Sequence, residues 1–140
     1  AAGLAKATGR LPETAEGRAF DQALARACVE TATARHVGRL ETLYTPFGAS
    51  HLQKGKDLTG VKAVIGTGGP VIRADDPAWV LQGAVFDPAA PDVLKPERPA
   101  FLVDRDYVLA GLGLLAEVDR LAALRLMKRT LVEGEGEEHA

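Results

Sequence analysis

The chain has 140 residues, 46% of them apolar and 26% charged, with 17 basic against 19 acidic side chains and a net charge of −2. That is enough chain for one domain with a real core. The even balance of charge, with no Lys/Arg stripe interleaved with aromatics, leaves no electrostatic footprint for nucleic acid. The single cysteine excludes an internal disulfide. No apolar run approaches the ~20 residues of a membrane span, and the N-terminus lacks the apolar core of a signal peptide, so a cytoplasmic location is expected. Ala1 is not an initiator Met, as expected of a piece of something longer.

Residues 1–12 are small and polar and read as a loop or frayed start. From Glu13 to His36 a long helix is expected, because Phe20, Leu24 and Cys28 recur on one stripe with Ala23, Ala27 and Thr31 beside them. Cys28 reads as a small buried hydrophobe, and Gly38 as the C-cap. Leu40 to Phe47 alternates imperfectly and predicts a strand, broken by Pro46, Gly48 and Ser50. Gln53 to Thr59 reads as a polar connection, and Val61 to Ile65 as a buried, β-branched strand.

Gly66-Thr67-Gly68-Gly69-Pro70 follows that strand directly. Glycines here permit backbone angles and a closeness of approach that a Cβ would block, and α/β proteins bind ligands beyond the carboxyl ends of strands. A purely structural strand-to-helix corner is the alternative. Thr67 either caps or touches a ligand hydroxyl. Asp75-Asp76-Pro77 is a helix start with an Asp acceptor and a Pro in the first turn, and that helix carries Trp79, Val80 and Leu81 to near Gly83. Residues 87–99 are proline-rich and read as a loop. Phe101 to Val103 is a second short buried strand. A helix is expected from about Asp106 and another from Asp119, with Leu121, Leu124, Met127 and Leu131 on the latter. From Glu133 onward the acidic, glycine-rich sequence reads as a disordered tail.

The elements predict an α/β fold, a small sheet flanked by helices, with one domain over residues 1–132 and the tail over 133–140. No Walker-type Gly-x-x-x-x-Gly-Lys-Ser/Thr and no Gly-x-Gly-x-x-Gly after a strand occurs. Asp104 and Asp106 flank Arg105 and serve either as caps or in ordering a magnesium-bound water. Ala110, Gly111 and Gly113 lie inside a helical pattern, where each glycine costs about 1 kcal/mol. Close approach of another backbone would offset that. Lys54 and Lys56 face phosphate or solvent. Arg125, Lys128 and Arg129 complement the end of the last helix. His36, His51 and His139 have no partner at metal-ligand spacing, and no catalytic set or metal site can be argued.

The run Gln53-x-Gly55-Lys56-Asp57-Leu58-Thr59-Gly60-Val61-Lys62-x-Val64-Ile65-Gly66-Thr67-Gly68-Gly69-Pro70 resembles the MutL (GlmL) proteins encoded beside adenosylcobalamin-dependent glutamate mutase, which are unrelated to the mismatch-repair proteins of that name. Arg35-His36-x-Gly38, Tyr44-Thr45-Pro46-x-Gly48 and Asp104-x-Asp106-Tyr107-Val108-Leu109-Ala110-x-Leu112-Gly113-Leu114-Leu115 agree, in order from about Phe20 to Ala116. The resemblance implies part of an actin-like (ribonuclease H-like) ATPase fold, of the superfamily that includes sugar kinases and heat-shock chaperones. It implies Gly66, Thr67, Gly68, Gly69 and Pro70 as the adenosine motif, and a hinge contact for the helix carrying Gly111 and Gly113. ATP or ADP with magnesium would be bound in the intact protein. The implied partners are the mutase subunits and the remainder of the ATPase fold, with neither nucleic acid nor membrane. The implied role is a chaperone or reactivating factor. The Asp-x-Gly phosphate turn of that superfamily is absent, so no catalysis is expected from this chain alone. A non-catalytic interaction domain of the same fold is the alternative reading, and a small-molecule kinase piece is a lesser one.

Overall fold

The computed structural model describes residues 12–134. The first helix, α1 (Ala15–His36), starts where Thr14 Oγ1 accepts from the Gly17 amide at 3.1 Å, with Glu16 in the first turn and Arg35 and His36 in the last. Both charge placements suit the helix dipole.

The chain then enters an antiparallel hairpin, β1 (Arg39–Thr45) and β2 (Gly48–Lys54), paired from Arg39↔Lys54 to Thr45↔Gly48. The β2 strand stands where a strand break and a polar connection are expected. Pro46 and Phe47 form the two-residue turn, and Gly48 takes φ 119°. Thr45 Oγ1 fastens the turn, donating to the Gly48 carbonyl at 2.8 Å and accepting from the Phe47 amide at 3.3 Å. Gly-Ala-Ser-His-Leu-Gln-Lys has no apolar alternation, so its strand state comes from the ladder with β1 rather than from its own pattern.

Gly38 serves a crossing rather than a left-handed cap. A Cβ there would lie 2.5 Å from the Lys54 carbonyl oxygen, and Gly55, at φ 88°, passes with its own virtual Cβ 2.9 Å from the Gly38 Cα. The Gly38 amide donates to the Lys56 carbonyl at 2.7 Å, and its carbonyl accepts from Leu94 at 3.0 Å. The hairpin base is thus sewn to the proline-rich segment, whose Val93, Leu94 and Lys95 are buried. That segment contains neither helix nor strand but is a packed strap.

The second sheet is three-stranded, in the order β3 (Ala63–Gly66), β4 (Ala100–Asp104), β5 (Leu131–Glu133); β3 and β4 are parallel and β5 antiparallel to β4. The connection from β3 to β4 holds α2 (Gly69–Ile72), α3 (Pro77–Leu81) and a 3-10 turn at Gln82–Ala84. Asp76 caps α3 by accepting from the Trp79 amide at 2.8 Å, with Pro77 in the first turn. After β4 come α4 (Leu109–Val118) and α5 (Arg120–Thr130), the latter capped by Asp119 accepting from Ala122 at 2.9 Å.

Leu131 and Val132 extend the apolar spacing of α5, yet they leave it and pair with β4, and the Gly134 amide donates to the Phe101 carbonyl at 3.0 Å. Glu133 therefore belongs to a strand, not to a disordered tail; residues 135–140 and 1–11 lie outside the described residues.

The core is formed by Val71, Val80, Leu81 and Val103, with Ala25, Val29, Val64, Phe101 and Val132 packed against it. α1 covers α2, α3 and the 3-10 turn, and α2 and α3 lie on the sheet. Ala25 and Val29, rather than the expected stripe of Phe20, Leu24 and Cys28, are the residues through which α1 meets the core. Phe20 and Leu24 are about half exposed, and Cys28 is exposed, not buried.

Candidate functional site

The displaced stripe has a physical cause: Leu24 and Cys28 line a cleft between α1 and the end of β3. Its volume is about 540 Å³, and its walls are Leu24, Ala25, Cys28 and Val29 on one side and Thr67, Gly69, Pro70 and Val71 on the other. Arg18, Asp21, Arg73 and Asp75 stand around it, with Arg18 Nε 3.5 Å from Asp75. Gln22, also in the wall, accepts the Asp76 amide at 3.1 Å and so ties α1 to the cap of α3.

The five residues of the glycine run play different parts. Gly66 is buried, and a Cβ on it would lie 2.7 Å from Val71 Cγ1 and 3.0 Å from Leu81 Cδ2, so its bareness serves packing. Gly68 sits at φ 92°, open on its side-chain side, where an L side chain would be strained. Gly69 has nothing within 4 Å of its Cβ direction and opens α2, with Pro70 in the first turn. The Thr67 hydroxyl is engaged, donating to Asp104 Oδ2 at 3.1 Å. Bare backbone at Gly69, next to the open Gly68, therefore faces a cleft within the 300–1,000 Å³ range of small-molecule sites, walled mainly by apolar groups together with several charged ones.

Other sequence candidates fall elsewhere. Asp104 is a cap, its carboxylate accepting the Val108 and Leu109 amides at 3.1 and 3.0 Å. Lys54 pairs with Glu41 at 2.6 Å, and Lys56 Nζ lies 3.2 Å from His36 Nε2. His51 Nδ1 meets Thr42 Oγ1 at 3.3 Å, and His139 lies outside the described residues. Gly111 and Gly113 have open space where their side chains would be, so no backbone approaches them among the described residues. Asp57 accepts from the Thr59 hydroxyl and amide at 2.7 and 2.9 Å, which hold its carboxyl below the ordinary value of 3.8. Among the described residues no group of three His, Cys, Asp or Glu is placed to hold a metal ion, and no helix is long and apolar enough to cross a membrane.

Sequence reasoning missed the α1 wall. The stripe of Phe20, Leu24 and Cys28 marks an apolar face of α1, but its spacing carries no signal for whether a core or a cleft meets that face.

A family model described as "MutL protein" matches residues 1–131. The chain belongs to the MutL family. "Protein MutL" of Clostridium tetanomorphum is 44% identical over 123 residues, covering 88% of this chain. The chain spans only 27% of the length of that MutL relative. No solved structure matches. The MutL match takes in the whole glycine run, the cleft and both walls.

Proposed function

We propose that this chain carries the nucleoside-binding part of an actin-like ATPase that acts as a chaperone or reactivating factor for an adenosylcobalamin-dependent mutase of the glutamate mutase type. The observation that carries the reading is the open, largely apolar cleft at the carboxyl end of β3, lined by Thr67, Gly69 and Pro70, in a parallel β3–β4 unit. Membership of the MutL family supports the mutase system as its setting.

The lining fits a nucleoside better than a polyphosphate. The apolar walls suit a planar base, and the bare backbone at Gly68–Gly69 gives a ribose room to approach. A bound nucleotide would supply a phosphoanhydride. This chain's own residues would hold and orient the nucleoside and exclude water from it. Phosphoryl transfer relies on magnesium and on donors to the β- and γ-phosphates, and no hydrolytic step is assigned to these residues.

Cys28 supplies a direct test. It is exposed and lines the cleft, so ATP bound there would slow its alkylation by iodoacetamide in the intact protein. An alkylation rate unchanged by millimolar ATP would count against the nucleoside reading. The second reading, a non-catalytic interaction domain, is favoured by the hairpin tip, where Phe47 is 100% and Tyr44 88% exposed. Retention of a mutase subunit by an intact protein that binds no nucleotide would decide for it.

A further inference from the structure

Asp104 ends β4 and is only 1% exposed. Its Oδ2 accepts from the Thr67 hydroxyl and the Leu109 amide, and its Oδ1 from the Val108 amide, at 3.0–3.1 Å. A carboxylate only accepts, and bonds to an ionised acceptor are the stronger kind. Two of its three donors are amides at the start of α4, where the N-cap residue Val108 makes no side-chain cap of its own. The third donor is Thr67, beside Gly68. The carboxylate therefore bridges the glycine loop and the helix that follows β4.

A second observation falls on the same turn. Among the described residues, Tyr107 is the non-glycine residue with positive φ, at 54°. Side chains other than glycine hold that region only where their surroundings over-determine it, and such residues gather at switches and ligand clamps. The Tyr107 side chain is exposed, while its amide donates to the Asp104 carbonyl at 3.0 Å. Asp104 thus holds the strained residue from one side by its backbone and from the other by its carboxylate. Beyond the turn, every residue of α4 is at least partly exposed, and among the described residues nothing lies within 4 Å of a Cβ placed on Gly111 or Gly113. The helix is held at its start and packs against α5.

We infer that Asp104 is a positioning residue that makes the glycine loop and the start of α4 one unit, so that closing the cleft on a ligand and moving α4 are coupled. The coupling rests on the nucleoside reading; the bridge itself does not. A movement of Thr67 by a ligand at Gly69 shifts Oδ2, and Oδ2 also holds the Leu109 amide.

The experiment is amide hydrogen exchange on the intact protein, its Thr67→Val variant (hydroxyl removed at nearly constant volume) and its Thr67→Ser variant (hydroxyl kept), with and without magnesium ATP. Without nucleotide, the Val108 and Leu109 amides exchange about fivefold faster in Thr67→Val, the factor for losing one typical hydrogen bond. Thr67→Ser keeps the unmodified rate, and α1 and hairpin amides do not change. With ATP, the amides of residues 67–69 and 108–109 become protected together in the unmodified protein, but only those of 67–69 in Thr67→Val. Unchanged exchange at 108–109 in Thr67→Val overturns the inference, as does equal acceleration everywhere. ATP that protects 67–69 but not 108–109 in the unmodified protein overturns the coupling. ATP that protects neither segment overturns the nucleoside reading and the coupling with it, while the nucleotide-free comparison still decides the bridge.

Discussion

Two glycines three positions apart should respond to the same substitution with opposite signs. In Gly66→Ala the new Cβ would lie 2.7 Å from Val71 Cγ1 and 3.0 and 3.1 Å from the two Leu81 Cδ atoms. Carbon contacts are best at about 3.5–4.0 Å, so the first overlap is close to 1 Å. Val71 and Leu81 are both core residues, and neither can withdraw into solvent. Overpacking of this kind costs about 1–3 kcal/mol. The opposing term, the reduced freedom of the unfolded chain when Gly becomes Ala, is about 0.4–1 kcal/mol. A net loss of about 1–2 kcal/mol follows. In Gly69→Ala the Cβ meets open space at the first position of α2, so only the second term acts, and stability rises by up to about 1 kcal/mol. Urea titrations of both variants, compared at constant m-value, measure the difference. Equal destabilisation by the two substitutions, or none by Gly66→Ala, would refute the division of labour within the motif.

Gly111→Leu tests the bare face of α4. Helix propensity favours Leu by somewhat less than 1 kcal/mol, whereas a covered hinge contact would be overpacked at about 1–3 kcal/mol. In the intact protein we expect net destabilisation in urea, and clear stabilisation would remove the hinge reading of this helix. Thr59→Val should raise the Asp57 titration midpoint toward 3.8, because the hydroxyl is the largest cause of its depression. Being depressed in the folded state, the Asp57 carboxyl stabilises the 57–59 turn above its unfolded pKa and loses that contribution as pH falls through the folded value. An NMR titration in which the midpoint does not move would contradict this.

What was legible in the sequence was what local chemistry decides. Asp76 with Pro77, and Asp119, each announce a helix start, and both cap as expected. Val64 and Ile65 before a glycine cluster announce a strand ending in bare backbone, and β3 ends at Gly66. What was hidden is set by partners distant in the chain. β2 is polar along its length and is a strand because β1 lies beside it. β5 looks like the last turn of α5 because Leu131 and Val132 suit either state, and the open edge of β4 decides. Cys28 looked like a core residue because apolar spacing on a helix says which face is apolar, not whether that face meets a core or a cleft. Gly38 looked like a cap, but the backbone that passes it comes from Lys54 and Gly55, and no local pattern reveals that crossing.

The central claim is that the backbone at Gly68–Gly69 receives a nucleoside. Titration calorimetry of ATP into the intact protein and its Gly69→Val variant tests it most directly. The Val side chain has room in the structure and would project from the cleft wall, so the fold should survive while the ligand's place is taken. We expect ATP binding by the unmodified protein and at least a tenfold weaker affinity in Gly69→Val, a factor equal to about 1.4 kcal/mol. Unchanged affinity in a folded Gly69→Val variant would contradict the assignment.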